Sequence, residues 1–355
     1  MKIGIAGAGL VGRLMALVLV EQGAAVHLFD QTSGVENSCA FAAAGMLAPV
    51  CESTAISHSL MQLGLDSLLL WSSIQERLKK EFLELNGTLV VAHSQNCCEL
   101  DQFASSIKSL ESIKRLDKEG LREIEPALDR FKQSIFVRNE GHVNSRVFLD
   151  LAINYVLEHG ACFHQTQTIE KVDSGFIKTD EGTFNFDFVI DSRGLGAKND
   201  LAQLRGVRGE IITVQTREVN LRRPVRLLHP RHPIYIVPRP FNHFLVGATT
   251  IESEDSNFVS VQSAVDLLNA LYSVHEAFAE ARIIEMNARN RPAFLHNEPE
   301  IIVKDRLIQI NGLYRHGFMV APKIVLEVGS FLSTSKFDQK FEKLFVKESS
   351  YASVN

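Results

Sequence analysis

Three glycines and one acid carry the first chemical signal in this 355-residue chain. Gly7, Gly9 and Gly12 stand in "GAGLVG", and Asp30 follows the apolar run "AVHLF". In a G-x-G-x-x-G turn the first glycine allows the tight bend and the second lets backbone approach a pyrophosphate. The third lets a helix lie close on its strands, and an acid after the second strand accepts hydrogen bonds from a ribose. The chemistry indicated is dinucleotide binding, by NAD or FAD alike; the alternative is a tight strand-to-helix turn without a ligand. A second stretch, "CAFAAAGMLAP" at 39–49, holds no charge and no titratable side chain except Cys39. Its meaning depends on its neighbours. His229 and His232 flank Pro230-Arg231 with no third ligand cluster near them, so no metal is expected.

The elements that must position these groups read clearly at the N-terminus. "KIGIA" (2–6) is a short apolar strand, "RLMALVLVEQG" a helix stopping at Gly23, and "AVHLF" a second strand. Strand, glycine turn, helix, strand and acid stand in register, and the helix N-terminus offers free N–H groups to phosphate. Residues 54–85 carry apolar side chains at helical spacing, with Trp71, the single tryptophan, expected to pack there. "GTLVVA" (87–92) restarts strand character after an Asn-Gly turn signal. Residues 140–163 read as turn, helix and strand. "PIYIVPR" and "FLVGATT" pair as antiparallel strands across Pro240-Phe241-Asn242, and 262–280 reads as helix.

Size and composition bound the rest. The length favours two domains, and 45% hydrophobic with 22% charged residues is the profile of a globular protein. A net charge of -5 gives no reason to expect a nucleic acid or anionic membrane partner. No stretch reaches about 18 uninterrupted apolar residues, so no membrane span is expected. Five cysteines (Cys39, Cys51, Cys97, Cys98 and Cys162), odd in number and without C-x-x-C spacing, fit a reducing cytoplasm. Cys97 and Cys98 are expected to act as small apolar side chains.

Together, "GAGLVG", Asp30, "AAAGMLAP" and "YRHGFMVAP" (314–322) resemble the D-amino-acid oxidase superfamily of FAD enzymes, nearest to the glycine oxidases of thiamine biosynthesis. The resemblance runs from residue 1 to about residue 335. It implies an α/β fold: a Rossmann-like FAD-binding domain (1–85, 143–204 and 290–345) interleaved with an α+β substrate domain (86–142 and 205–289) built on an antiparallel sheet. Residues 346–355 would form a tail. It implies dissociable FAD, without covalent attachment at Cys39, contacted by Gly7, Ala8, Gly9, Leu10, Val11, Gly12 and Asp30. Ala43, Ala44, Gly45 and Met46 would bring bare main chain and one soft side chain to the flavin. Ile169 would lie near adenine. Gly194, Arg315, His316, Gly317, Phe318 and Met319 would complete the contacts, with a helix starting near Pro322 aiming its positive end at the pyrimidine edge.

Catalytic roles follow from the same resemblance. A hydride leaves Cα for flavin N5, the imine hydrolyses, and dioxygen takes the electrons to give hydrogen peroxide. Such a site needs a carboxylate clamp more than acid–base groups. Arg291, in "RP" at 291–292, is expected to hold the substrate carboxylate with Tyr235, and Arg315 to add positive potential. The chain departs from the family at "NARNRP", where Asn287 to Asn290 replace an aromatic and a glycine. The expected partners are a small amino acid or amine and dioxygen, with a homo-oligomer open. Two alternatives stand beside this reading: a flavin dehydrogenase using a quinone or carrier protein, and a flavin-binding partner protein without catalysis. A plain NAD dehydrogenase and a tRNA-modifying relative are disfavoured.

Overall fold

The computed structural model describes residues 1–36, 38–107, 112–336 and 338–347. Its first sheet has seven strands, ordered Phe345–Lys347, Glu300–Lys304, Leu307–Asn311, Phe188–Asp191, Lys2–Ala6, Ala25–Phe29 and Cys162–His164. The last five run parallel. Parallel strands are buried on both faces, which explains the unbroken apolar reading of "KIGIA" and "FVI". The helices Leu10–Glu21, Ser145–Glu158, His58–Leu78 and Gly317–Thr334 cover one face. A three-stranded antiparallel sheet (Ile169–Asp173, Phe176–Thr179, Gly182–Asn185) covers the other through Val172, Ile177 and Phe186.

The second sheet has eight strands, ordered Arg282–Ala293, Arg205–Gln215, His243–Gly247, Ile234–Arg239, Val225–Leu228, Thr88–Ala92, Gln133–Val137 and Ile113–Asp117. Its pairs are antiparallel except Val225–Leu228 with Thr88–Ala92, which run parallel, so the expected antiparallel sheet carries one parallel join. Leu267, Leu271 and Val274 of the helix Val261–Val274 pack on one face. A small fourth sheet of Met46–Leu47, Gly141–Val143 and Leu83–Glu84 links the two larger ones.

Several element bounds differ from the sequence reading. The long helix is His58–Leu78, capped by the Ser57 hydroxyl, because Ser57 and the αL residue Lys79 close its ends. A strand, Gly141–Val143, precedes the helix at 145, and the strand through Arg291 begins at Arg282. Cys97 and Cys98 are exposed rather than packed as core residues. The C-terminal helix starts at Gly317, and Pro322 lies inside it. Tyr314–Thr334 is long and apolar enough to cross a membrane by length and composition, although Arg315, Lys323 and Glu327 interrupt it. In this fold 56% of that window is buried, against the helices Leu10–Glu21 and His58–Leu78.

Pro322 is tolerated for a specific reason. Having no N–H, it cannot donate to the carbonyl four residues back, that of Phe318. Trp71 Nε1, fully buried, donates to this oxygen instead at 2.8 Å. Trp71→Phe should therefore strand a buried acceptor and destabilise the protein by about 1–3 kcal/mol. The urea midpoint is expected to fall, and to recover in part when Pro322→Ala restores the helical donor. Equal losses in the single and double variants would contradict this account.

Candidate active site

The glycine turn forms a cradle that suits a dinucleotide. Gly7 has φ +92°, and a Cβ there would meet Ser192 O at 2.7 Å. Gly12 lies directly on the Gly7 carbonyl, whereas a Cβ on Gly9 would point into open space. Gly9 is the N-cap of the helix from Leu10, no side chain caps it, and no acid stands in its first turn. The N–H groups of Leu10, Val11 and Gly12 therefore lack a helical partner, a ready anion site. Asp30 has a task the sequence did not reveal: its Oδ2 accepts from Ala8 N at 2.8 Å, and its Oδ1 from Thr32 N. Buried Arg13 donates to Ala8 O at 2.6 Å and Leu149 O at 2.8 Å. Burial lowers its pKa to about 10 although Asp30 acts the other way. Cradle, free donors and nearby cation fit the phosphates of FAD.

The small-residue run is nearly bare main chain, its first turn packed against the helix Ser145–Glu158 and the strand Arg282–Ala293. Ser38 caps a single turn, Cys39–Ala42, through its hydroxyl. Gly45 takes φ +64° and lies against Val143 O, where any Cβ would collide. The Gly45 carbonyl accepts from Val143 N at 2.8 Å and that of Ala43 from Ser145 Oγ at 2.8 Å. The Ala44 carbonyl accepts from Arg239 Nη2 at 2.7 Å. Arg239 also donates to Val143 O at 3.0 Å and to His142 Nδ1 at 2.9 Å. Burial lowers the Arg239 pKa to about 10. Met46 pairs with His142 across the small sheet. Arginine has no acceptor, so His142 is neutral and carries its proton on Nε2.

The C-terminal helix brings its start to the same place. His316 is its N-cap, with no side chain bonding to the first N–H groups, and the 3-10 turn Tyr314–His316 leads straight into it. His316 itself is buried, and burial lowers its pKa to about 4. Gly194, at φ +56°, presents its carbonyl to Asn311 Nδ2 at 3.0 Å. Ile169 begins its strand in the three-stranded sheet.

Opposite these stands the second sheet. Tyr235, Val237 and Arg239 alternate on one face of their strand, and pairing places Gly247, Ile211 and Arg226 on that face too. Tyr235 and Arg315 do not converge on Arg291. Both donate to Glu52, Tyr235 Oη at 2.8 Å to Oε1 and Arg315 Nη2 to Oε2. Arg226 lies 5.5 Å from the Tyr235 ring centroid and donates to Cys51 O. Burial would raise the Glu52 pKa, but Arg315 and Arg226 outweigh it and hold the group below its usual value. Arg291 fits over Gly209, which leaves it room, and both its Nη atoms reach Thr249 O at 3.1 Å. A cavity of about 450 Å³ opens beside Arg315 and His316, walled by Thr54, Leu60, Asn297 and Tyr314.

Glu52, Arg226, Arg239 and Glu140 were missed by the sequence reading. No motif marks them, and their partners lie far away in the chain. Glu140 is fully buried; its Oε1 accepts from Val50 N and Cys51 N, each at 2.8 Å, and so fixes the loop that carries Glu52. His229 and His232 stack with ring centroids 5.6 Å apart, and the described residues hold no cluster able to bind a metal.

Comparison with known proteins agrees with this geometry. A family model described as FAD dependent oxidoreductase matches residues 2–324. A Rhizobium etli protein provisionally named thiamine biosynthesis oxidoreductase ThiO is 39% identical over 337 residues, covering 95% of this chain and 98% of its own. Among solved structures, glycine oxidase from Geobacillus kaustophilus superimposes with a TM-score of 0.85 at 22% identity, covering 98% and 99% of the two chains. Iminodiacetate oxidase from Chelativorans sp. BNC1 gives 0.84 at 20% identity, over 97% and 99%. These two structures speak for the fold.

Glu140 gives this site a pH signature. Burial raises its pKa from 4.5 to about 7, so the folded chain holds this proton more tightly than the unfolded chain. Its favourable contribution is complete below about pH 4.5 and is lost as pH rises through about 7, a change of about 3 kcal/mol. Glu140→Gln keeps an acceptor for the two N–H groups and removes the charge. The fall in thermal midpoint between pH 5 and 8 should flatten in this variant, and an unchanged slope would contradict the assignment.

Proposed function

This chain belongs to the FAD-dependent oxidoreductase family, and on that premise we propose that it oxidatively deaminates a small amino acid or amine, as glycine oxidases do. The observation that carries this reading is Arg291: a guanidinium held by one main-chain carbonyl and by no acid among the described residues. Its uncommitted donors suit a substrate carboxylate, and Thr249 O sets the plane in which they are offered.

Glu52 stays anionic between Arg315 and Arg226, and in this reading attracts the substrate's ammonium end. Tyr235 and Arg315 act through Glu52, as positioning residues that keep its carboxylate in one orientation. With both ends of the amino acid held, Cα has one placement over the Ala43–Met46 main chain. His316, neutral near pH 7, adds no charge there. When bound, FAD supplies the acceptor for the hydride from Cα and passes the electron pair to dioxygen, which leaves as hydrogen peroxide. The resulting imine takes up water and releases ammonia. A part in thiamine biosynthesis is supported by the 39% identical relative, and the five free cysteines support a cytoplasmic, reducing setting. The same reading divides the chain into an FAD-binding part around the parallel sheet and a substrate part around the eight-stranded sheet.

Anaerobic mixing of the FAD-loaded protein with small amino acids tests this. Bleaching of the flavin absorbance is expected with at least one of them. Arg291→Ala should weaken the apparent affinity about 100-fold or more, the loss typical of truncating one member of a buried charge pair. Retained affinity in that variant would remove Arg291 from the site.

A further inference from the structure

The strand Arg282–Ala293 turns Glu285, Asn287, Arg289 and Arg291 from alternate positions toward the Cys39–Ala42 turn. Glu285 is already engaged by Arg146 at 2.6 Å. Arg289 reaches only main-chain carbonyls, Ala288 O and Glu36 O, each at 2.8 Å, and its Nε is buried without a partner. Asn287 stands between Glu285 and Arg289 on this face, and its side chain bonds to Glu285. Neither Arg289 nor Arg291 meets a carboxylate at ion-pair distance among the described residues, while nearby Arg315 is taken by Glu52.

Both guanidinium groups bear on the Cys39 thiol, and Arg315 bears on Arg291, so the three cations form one field. Arg315 is answered by Glu52, whereas Arg289 acts on Glu285 without reaching ion-pair distance. A single substrate carboxylate on Arg291 would leave the buried Nε of half-buried Arg289 unanswered, since Glu285, whose charge it feels, is already bonded to Arg146. Residues two apart on a strand stand about 7 Å apart, a span that two acid groups on one small amine can bridge. Asn287 and Arg289 also occupy the positions where the family resemblance expects an aromatic and a glycine.

We propose that the substrate is an amine carrying two acid groups, with Arg291 holding the carboxylate beside the reacting carbon and Arg289, aided by Asn287, holding the second. The proposal rests on the amine-oxidation reading above and narrows its substrate class.

The test titrates the FAD-loaded protein anaerobically with glycine, D-alanine, iminodiacetate and D-aspartate while following flavin absorbance. Malonate against acetate, read as a spectral shift, gives the same comparison without turnover. The wild-type protein should bind diacids at least tenfold more tightly than monoacids. Arg289→Ala should lower that ratio at least tenfold, and Arg289→Lys should restore part of it. FAD affinity is measured in parallel by fluorescence quenching. Equal affinity for monoacids and diacids overturns the proposal and leaves amine oxidation standing. So does an Arg289→Ala variant that loses FAD affinity instead of discrimination, since the arginine would then serve the cofactor. If no amine bleaches the flavin and malonate binds no better than acetate, both readings fall.

Discussion

Main chain without side chains cannot hold itself in place, and this constraint shapes the site. The Ala43–Gly45 segment can come close to a planar ring only because it is bare, so its carbonyls need donors from elsewhere. Ser145, Val143 and Arg239 supply them. Arg239 is the costliest of the three, a guanidinium taken out of water. Its bonds to Ala44 O, Val143 O and His142 tie the eight-stranded sheet to the small linking sheet. Burying so many donors with incomplete pairing would be prohibitive, so the cluster specifies one docking of the two layers as well as one path for the loop.

The cleft follows a second rule, that buried charge must be answered. Glu140 fixes the main chain of Val50 and Cys51, that loop presents Glu52, and Glu52 in turn engages Tyr235 and Arg315. The chain of contacts crosses from the linking sheet to the large sheet and to the turn ahead of the C-terminal helix. Arg291 stands outside it, with room made by Gly209, and retains donor capacity. A site built this way is rigid where protein meets protein and uncommitted where a ligand would enter.

Much of the fold was legible in the sequence because its signals are local. The strand at 2–6, the glycine turn, the following helix and the strand at 25–29 are each specified by neighbours within a few residues, and they appear where expected. Pro322 misled the reading of the C-terminal helix because its usual meaning, a helix start, was overridden by a donor from Trp71, distant in sequence. Asp30 stands in the expected register, yet its side chain serves the glycine turn itself.

The amino-acid order marked the glycine turn through its spacing, whereas the run at 43–46 and the arginine of "RP" stood out through the family resemblance. Tertiary structure alone decided that Glu52 receives Tyr235 and Arg315, that Arg239 holds the Ala44 carbonyl, and that Arg289 stands beside Arg291 without an acid. Those pairings join residues up to 263 positions apart, and no local periodicity encodes which distant donor will meet which acceptor. Packing of two sheets settles that, because only the assembled interior removes the water that would otherwise satisfy each group separately.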